Sequence, residues 1–175
     1  MRFNSLIDAA RDSLNQELEI LLALTSAGYR APSIGPFSSS VGMHLRHNLD
    51  HYEAFFSGLD KAEIDYETRG RNTMIEESRE VAIEALEVYL GHLEQLRLCD
   101  DISIRVREES DASAHEGVWV ISSLGRELQF LIGHTVHHNA IIAMIVHGNG
   151  LELPSSFGLA PSTRRYQEGD GSVLS

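Results

Sequence analysis

The sequence Gly133-His134-Thr135-Val136-His137-His138-Asn139 lies within the long run from Leu124 to Val146 and decides how the rest of the chain must be arranged. His134 and His138 are four residues apart, so in a helix their side chains lie on one face, about 40° apart around the axis. Steps of three and four residues also place a second, much earlier group of histidines on one helical face. That group consists of His44, His47 and His51. The central question is whether the two groups meet around a metal ion.

Four segments carry apolar residues at the three- and four-residue spacing of amphipathic helices. They cover residues 3–27, about 41–58, about 72–97 and about 124–148, and serines at 38–40 and at 122–123 can cap the second and fourth. Apolar and polar residues alternate near 102–107 and 118–121, which predicts a β-hairpin or extended insert. Residues 60–71 are charged and predicted to be irregular. The whole pattern predicts an all-α fold, an up-down four-helix bundle with a small hairpin or extended insert before the last long helix.

Composition excludes several classes of partner. The 175 residues include 26 acidic and 14 basic residues, for a net charge of −12. Nucleic acids and anionic membranes are bound through basic surfaces, so neither is an expected partner. No apolar run approaches the ~18 residues of a membrane-spanning helix, and the N-terminal residues lack the apolar core of a signal peptide. A single cysteine, Cys99, allows no intrachain disulfide, and we therefore expect a cytoplasmic protein.

The histidine spacing makes a metal site the leading chemical hypothesis. Two neutral imidazoles at positions i and i+4 can chelate one cation, and His138 falls on an apolar seam where an unpaired imidazole would be unfavourable to bury. A third histidine from the second helix would complete a site with open coordination positions, but periodicity does not decide which one. His137 points about 100° away from His138 and is predicted to lie at the rim of the site or to be exposed. Glu127, two turns before His134, is either a hydrogen-bond acceptor for a ligand, a general base, or a solvated residue.

Several segments resemble the DinB-like superfamily of damage-inducible, metal-binding bundle proteins, in an uncharacterised branch. They are residues 43–52 (MHLRHNLDHY), 65–69 (DYETR), 128–139 (LQFLIGHTVHHN) and 157–163 (FGLAPST). The resemblance extends over roughly residues 3–166. It implies a four-helix bundle over residues 1–166, and residues 167–175 are predicted to form a disordered tail.

The resemblance also implies a divalent metal ion (Zn, Ni or Fe) held by one histidine of the second helix and by the later pair. Matching a His-Leu-x-His motif onto residues 44–47 gives the ligands His47, His134 and His138. The neighbouring pocket residues would be His44, His51, Glu127 and His137. Better-studied relatives use low-molecular-weight thiols, which implies a metal-dependent thiol transferase or hydrolase acting on a thiol or other small molecule, as a homodimer. The alternative is a non-enzymatic, metal-binding stress-response bundle, and no catalytic residue is assigned.

Overall fold

The computed structural model describes residues 2–34, 38–68, 70–108, 117–167 and 169. The described chain is mostly helical and contains one small sheet. The helices are α1 (Arg2–Ala23), α2 (Ser26–Arg30), α3 (Val41–Gly58), α4 (Thr73–Glu77), α5 (Arg79–Gln95), α6 (Leu124–Gly148) and α7 (Pro161–Gln167). The strands are β1 (Glu63–Asp65), β2 (Ser103–Glu108) and β3 (Val118–Ser123). None of the described helices is long and apolar enough to cross a membrane.

The four long helices contact one another in a closed order. α1 packs against α5, α5 against α3, α3 against α6, and α6 against α1. Their inward faces form one apolar core. The seam predicted for α6 is buried throughout: Leu124, Leu128, Leu131, Thr135, His138, Ile142 and Ile145. Because α6 lies against both α1 and α3, the polar side chains on this seam face those two helices.

Serine caps fix where the two histidine-bearing helices begin. The hydroxyl of Ser40 accepts a hydrogen bond from the backbone N–H of Met43 at 3.2 Å, at the start of α3. The hydroxyl of Ser123 accepts from the N–H of Arg126 at 3.3 Å, at the start of α6. Each bond satisfies an N–H that a helix start leaves without an intrahelical partner.

The predicted first helix, residues 3–27, is wrong at its C-terminal end. α1 stops earlier, and Thr25, in extended backbone, caps the separate short helix α2. The guanidinium of Arg79 donates hydrogen bonds to the carbonyl oxygens of Leu21 and Leu24, at 3.0 and 2.7 Å. A helix end leaves such carbonyls unpaired, so a cation supplied by α5 stabilises the termination of α1.

The predicted third helix, about residues 72–97, is divided into α4 and α5. Ser78 has extended backbone (φ −120°, ψ 116°), and its hydroxyl accepts from the N–H of Val81 at 3.3 Å. Serine competes for backbone donors in this way and is favoured at helix starts. Gly42 lets α4 approach α3 closely, because a Cβ there would lie 2.3 Å from the carbonyl oxygen of Glu76. The break therefore brings α4 against the start of α3.

A three-stranded sheet in the order β1-β2-β3 corrects the expectation of an all-α fold. β2 and β3 form the predicted antiparallel hairpin, with Val106 opposite Val120. β1 was not predicted, since it lies in the segment 60–71 that was expected to be irregular. It pairs in parallel with β2, with Ile64 opposite Val106. Both of these side chains are buried in the core, so burial of a single apolar residue fixes a strand too short to show alternation.

An ion pair between Asp65 and Arg107 fastens β1 to β2. Nη2 of Arg107 lies 2.5 Å from Oδ2 of Asp65, and Nε lies 3.2 Å from Oδ1. Oδ1 also accepts from the backbone N–H groups of Glu67 and Thr68. These bonds favour the ionised carboxylate, and the Arg107 bonds above all lower the pKa of Asp65 to about 2. They hold the turn that carries Tyr66 into the core, where it is 1% exposed.

The segment after α6 returns along that helix towards α1. Gly158 has φ +72°, and a Cβ there would lie 2.8 Å from the backbone nitrogen of Ala140, so glycine is required both by conformation and by space. In α7, Arg164 donates to Asp12 of α1 at 3.0 Å. Apart from 167 and 169, the predicted disordered tail at residues 167–175 lies outside the described residues.

We expect Asp65→Asn to lower the free energy of unfolding by about 1 kcal/mol near neutral pH, after allowance for solvent screening of the partly exposed pair. The pKa of Asp65 is about 2 in the folded protein, against 3.8 without its partners. The stabilisation is therefore complete above the higher value and is lost as the pH falls towards 2. Urea unfolding of both proteins over that range measures it, and the difference between them should shrink on acidification.

Glu63→Gln is the matched control, because Glu63 lies on the same strand and its ion pair with Arg105 is far more exposed (side chains 41% and 50%). We expect an effect close to zero for this control. An equal loss in both variants, or a loss for Asp65→Asn that does not depend on pH, would contradict the assigned role of the Asp65 carboxylate.

Candidate metal centre

α3 and α6 place the two histidine groups directly opposite each other. The ring centroids of His51 and His134 lie 3.9 Å apart, and those of His47 and His138 lie 4.9 Å apart. Two groups that are distant in the sequence therefore meet in one cluster, formed by side chains from two contacting helices.

The cluster contains imidazole nitrogens close enough to share a cation. One ligand atom each from His47, His51 and His134 lies within 4.8 Å of the others. Nε2 of His138 lies 3.2 Å from Nε2 of His134. Two nitrogens bound at ~2.0–2.1 Å to a tetrahedral cation would be about 3.3 Å apart. The predicted ligands His47, His134 and His138 thus lie together, and His51, predicted as a neighbour, lies among them.

Hydrogen bonds to oxygen acceptors select the tautomer of two rings. Nδ1 of His51 lies 2.9 Å from the carbonyl oxygen of His47, and Nδ1 of His134 lies 3.2 Å from Oδ1 of Asn48. Both oxygens can only accept, so each Nδ1 carries the proton in a neutral ring. Nε2 of His51 and of His134 is then left with the lone pair that a metal ion requires.

His44 is in contact with the cluster through His138. Nδ1 of His44 lies 3.1 Å from Nδ1 of His138, and Nε2 of His44 lies 3.1 Å from Oγ of Ser39. If Nε2 of His138 binds a metal ion, its Nδ1–H donates to His44, which in turn donates to Ser39. His44 therefore orients the ring of His138, a candidate metal ligand, without itself being placed as a ligand.

Burial favours the uncharged form of two rings, His138 and His44. Desolvation, followed by repulsion from His47 and the other nearby histidines, lowers the pKa of His138 to about 3. Desolvation, followed by repulsion from His137, also lowers the pKa of His44. Neutral imidazole is the form that binds metal ions, so both shifts favour coordination near neutral pH.

Two aromatic rings cover one side of the cluster. The Tyr66 ring lies 5.6 Å from that of His51, and the Phe130 ring lies 5.7 Å from that of His134. Tyr66 and Phe130 are also in contact, with centroids 5.1 Å apart. Tyr66 follows β1 directly, so the strand missed in the sequence supplies part of the wall of the site.

The structure places Glu127 and His137 away from the imidazole nitrogens that converge in the cluster. The carboxylate of Glu127 is buried and accepts a hydrogen bond from the hydroxyl of Ser122 at 2.5 Å. Glu127 precedes His134 by seven positions along the helix, a rise of about 10.5 Å. His137 is exposed, and its ring touches that of His138 edge-on at 5.2 Å.

Sequence reasoning missed two polar residues that adjoin the cluster, Asn48 and Glu17. Asn48 is completely buried, and its amide NH₂ donates to Oε1 of Glu17 at 2.8 Å. The Thr135 hydroxyl lies 3.2 Å from the same Asn48 oxygen that faces His134. The available signal was a polar residue at a core-facing position: Asn48 lies between apolar positions of α3, and Glu17 lies on the apolar face of α1.

The donor set fits a divalent transition metal. Imidazoles converge from two helices, and oxygen acceptors or another histidine hold the second nitrogen of several rings, as is typical of metal-binding histidines. Imidazole ligands suit zinc, nickel, copper and iron, so the donor set does not select one metal.

The sequence model of the DinB family matches residues 4–162, which include every histidine of the cluster. Over 104 residues the chain is 35% identical to a protein named FK506-binding protein 5 from Rhizopus delemar. The matched part amounts to 59% of this chain but to 27% of that protein. No solved structure matches the chain.

We expect the metal-free protein to lose stability on mild acidification, in part through His138. Its pKa of about 3 in the folded protein lies below the 6.5 of a free imidazole. Between these values the unfolded chain binds a proton that the folded protein does not, so stability falls as the pH drops below 6.5. The contribution is roughly 2 kcal/mol between about pH 7 and about pH 5.

Urea unfolding with a chelator present measures this loss. His138→Gln should show a shallower pH dependence than the parent protein, and His147→Gln, at an exposed position near the end of the same helix, should not. Parallel pH dependences in all three proteins would contradict the assignment to His138.

Proposed function

Because the chain belongs to the DinB family, we propose that it binds a divalent metal ion at the histidine cluster between α3 and α6. The observation that carries this proposal is the convergence of imidazole nitrogens from two helices that are far apart in sequence. In this proposal the closed ring of α1, α5, α3 and α6 is an up-down four-helix bundle that holds the ligands in its core. The metal is zinc, nickel or iron.

His47 and His134 belong to both candidate ligand sets, and we assign the third position to His138. Its Nε2 faces that of His134, and its Nδ1 is held by His44, which supports a ring positioned for binding. His51 is the fourth candidate. Three protein ligands leave a position open for a substrate, as in catalytic sites, whereas four would close the site, as in structural ones.

With three ligands, the activity proposed is metal-dependent thiol transfer or hydrolysis. A divalent cation bound here would lower the pKa of a thiol or water in the open position and present it to an electrophile. Burial keeps His138 in the neutral form that binds a cation, and Tyr66 and Phe130 cover one side of the cluster. The proposed cosubstrate is a low-molecular-weight thiol, and the proposed assembly is a homodimer.

The second candidate function is non-enzymatic metal binding in a stress-response bundle. The position of His51 favours it, because this 2%-exposed ring lies within the closest group of nitrogens and could complete a closed site. The number of protein ligands separates the two candidates, since only an open site can bind and activate a substrate.

Metal content of the variants tests the ligand assignment. We expect His47→Ala, His134→Ala and His138→Ala each to lose most of the bound metal, because two imidazoles hold a labile cation weakly, while His51→Ala retains it. Elemental analysis of protein purified without a histidine tag measures the stoichiometry. His147→Ala is the control. Full metal content in both His47→Ala and His138→Ala would contradict the proposed triad.

Turnover tests the enzymatic proposal. We expect the metal-loaded protein to accelerate the reaction of a low-molecular-weight thiol with an electrophile, and a chelator to abolish this acceleration. Loss of thiol, followed by absorbance across a panel of thiol–electrophile pairs, is the measurement. Metal bound at full stoichiometry with no acceleration for any pair would favour the non-enzymatic function instead.

A further inference from the structure

An acidic side chain lies in the apolar core below the histidine cluster. Glu17, on α1, is 2% exposed. Its Oε1 accepts a hydrogen bond from the Asn48 amide, and its Oε2 has no hydrogen-bond partner among the described residues. Burial raises the pKa of Glu17 well above its usual range. An apolar residue would fill this position without the desolvation penalty, so packing alone does not account for a carboxyl group here.

Asn48 connects Glu17 to the cluster, and the two ends of its amide group face different partners. The NH₂ group donates to Glu17 at 2.8 Å, while Oδ1 faces Nδ1 of His134 and the hydroxyl of Thr135, both at 3.2 Å. The two ends of an amide have nearly the same shape but opposite hydrogen-bonding roles. Packing therefore discriminates poorly between the two orientations of the amide, and the orientation is determined by the hydrogen-bond partners.

Turning the Asn48 amide by 180° would favour the other tautomer of the His134 ring. The NH₂ group would then face Nδ1 of His134, which would have to accept, and the ring proton would move to Nε2. A protonated Nε2 cannot bind a metal ion. The same turn would direct the Asn48 oxygen at Oε1 of Glu17, and two acceptors would meet there unless Oε1 itself carried a proton. The observed orientation requires no such proton, because Oε1 can accept whether the carboxyl group is ionised or protonated at Oε2. The acceptor at position 17 thus favours the orientation in which Nε2 of His134 is available.

We propose that Glu17 is a positioning residue of the metal centre: by accepting from the Asn48 amide, it fixes the Nδ1–H tautomer of His134. The proposal deepens the function proposed above and rests on it for the consequence in metal affinity. The tautomer itself is a property of the metal-free protein and can be measured without that function.

Two substitutions distinguish the effect of the hydrogen-bond acceptor at position 17 from the effect of side-chain volume. Glu17→Gln keeps an oxygen that can accept from Asn48 but also has an NH₂ group that can donate to a turned amide, whereas Glu17→Met has a similar size and neither group. Long-range proton–nitrogen NMR correlations on the metal-free protein report which nitrogen of His134 is protonated. We expect Nδ1–H in the parent protein, a substantial Nε2–H population in Glu17→Met, and a smaller Nε2–H population in Glu17→Gln.

Metal affinity is the second readout. Loss of an outer hydrogen-bond partner of a metal-binding histidine weakens affinity by about 10- to 100-fold. Glu17 acts on His134 through Asn48, and we expect a loss within this range for Glu17→Met and a smaller loss for Glu17→Gln. Competition with a chromophoric chelator, using zinc, measures the dissociation constants. Ser78→Ala is the control for general destabilisation, because it removes the cap of α5 and touches no histidine of the cluster.

Asn48→Asp provides a test within the same network. An aspartate carboxylate presents an acceptor to His134 in either orientation, so the tautomer no longer depends on the residue at 17. We expect Glu17→Met to weaken zinc binding far less in the Asn48→Asp background than in the parent, a non-additivity that marks coupled residues.

Three results would overturn the positioning role. They are an Nδ1–H tautomer of His134 that persists in Glu17→Met, unchanged zinc affinity in that variant, and additive effects of the two substitutions. Absence of zinc binding in the parent protein would instead contradict the proposed function, and the tautomer measurement would still decide the role of Glu17.

Discussion

Polar groups inside a protein must find partners inside it, and this constraint joins α1, α3 and α6 through one buried amide. Asn48 of α3 contacts Glu17 of α1 on one side, and His134 and Thr135 of α6 on the other. The hydroxyl of Tyr52, one turn further along α3, adds a second bond to Thr135 at 3.1 Å. Apolar contacts alone allow helices to rotate or slide with little loss, but these directional bonds favour one register. That register is the one in which the histidines of α3 and α6 face each other.

The elements that the sequence predicted best are those with local signals. Residues 41–58 and 124–148 show helical spacing over several turns, and serines stand where they begin, so both helices were predicted with their bounds. The break at Ser78 was missed because the apolar spacing continues through it, and only the tertiary packing of α4 shows where the helix divides. β1 was missed because three residues carry no period, and its partner strand lies far along the chain.

In the candidate site, too, the features with a local signal could be predicted, and those set by tertiary packing could not. The spacing of His134 and His138 indicates a shared face, and their meeting with the earlier histidine group was a hypothesis from spacing that the family resemblance then supported. Periodicity did not separate the histidines of α3, because all share one face, and the buried place of His51 follows from how α3 turns against α6. Glu17 and Asn48 carry no chemical motif. Their signal is a polar residue on an apolar face, which has meaning only once the opposing helix is known.

The parallel pairing of β1 with β2 has a consequence for the order in which the protein folds. Asp65 and Arg107 are 42 residues apart, and α4 and α5 lie between them. Helices form from local contacts within microseconds, whereas a long-range strand pair must first offset the entropy of closing the intervening loop. β1 can pair only with a strand that follows α5 in the chain. The part of the aromatic wall that Tyr66 supplies beside His51 therefore depends on a long-range strand pair, whereas α3, which carries His51, can form from local contacts.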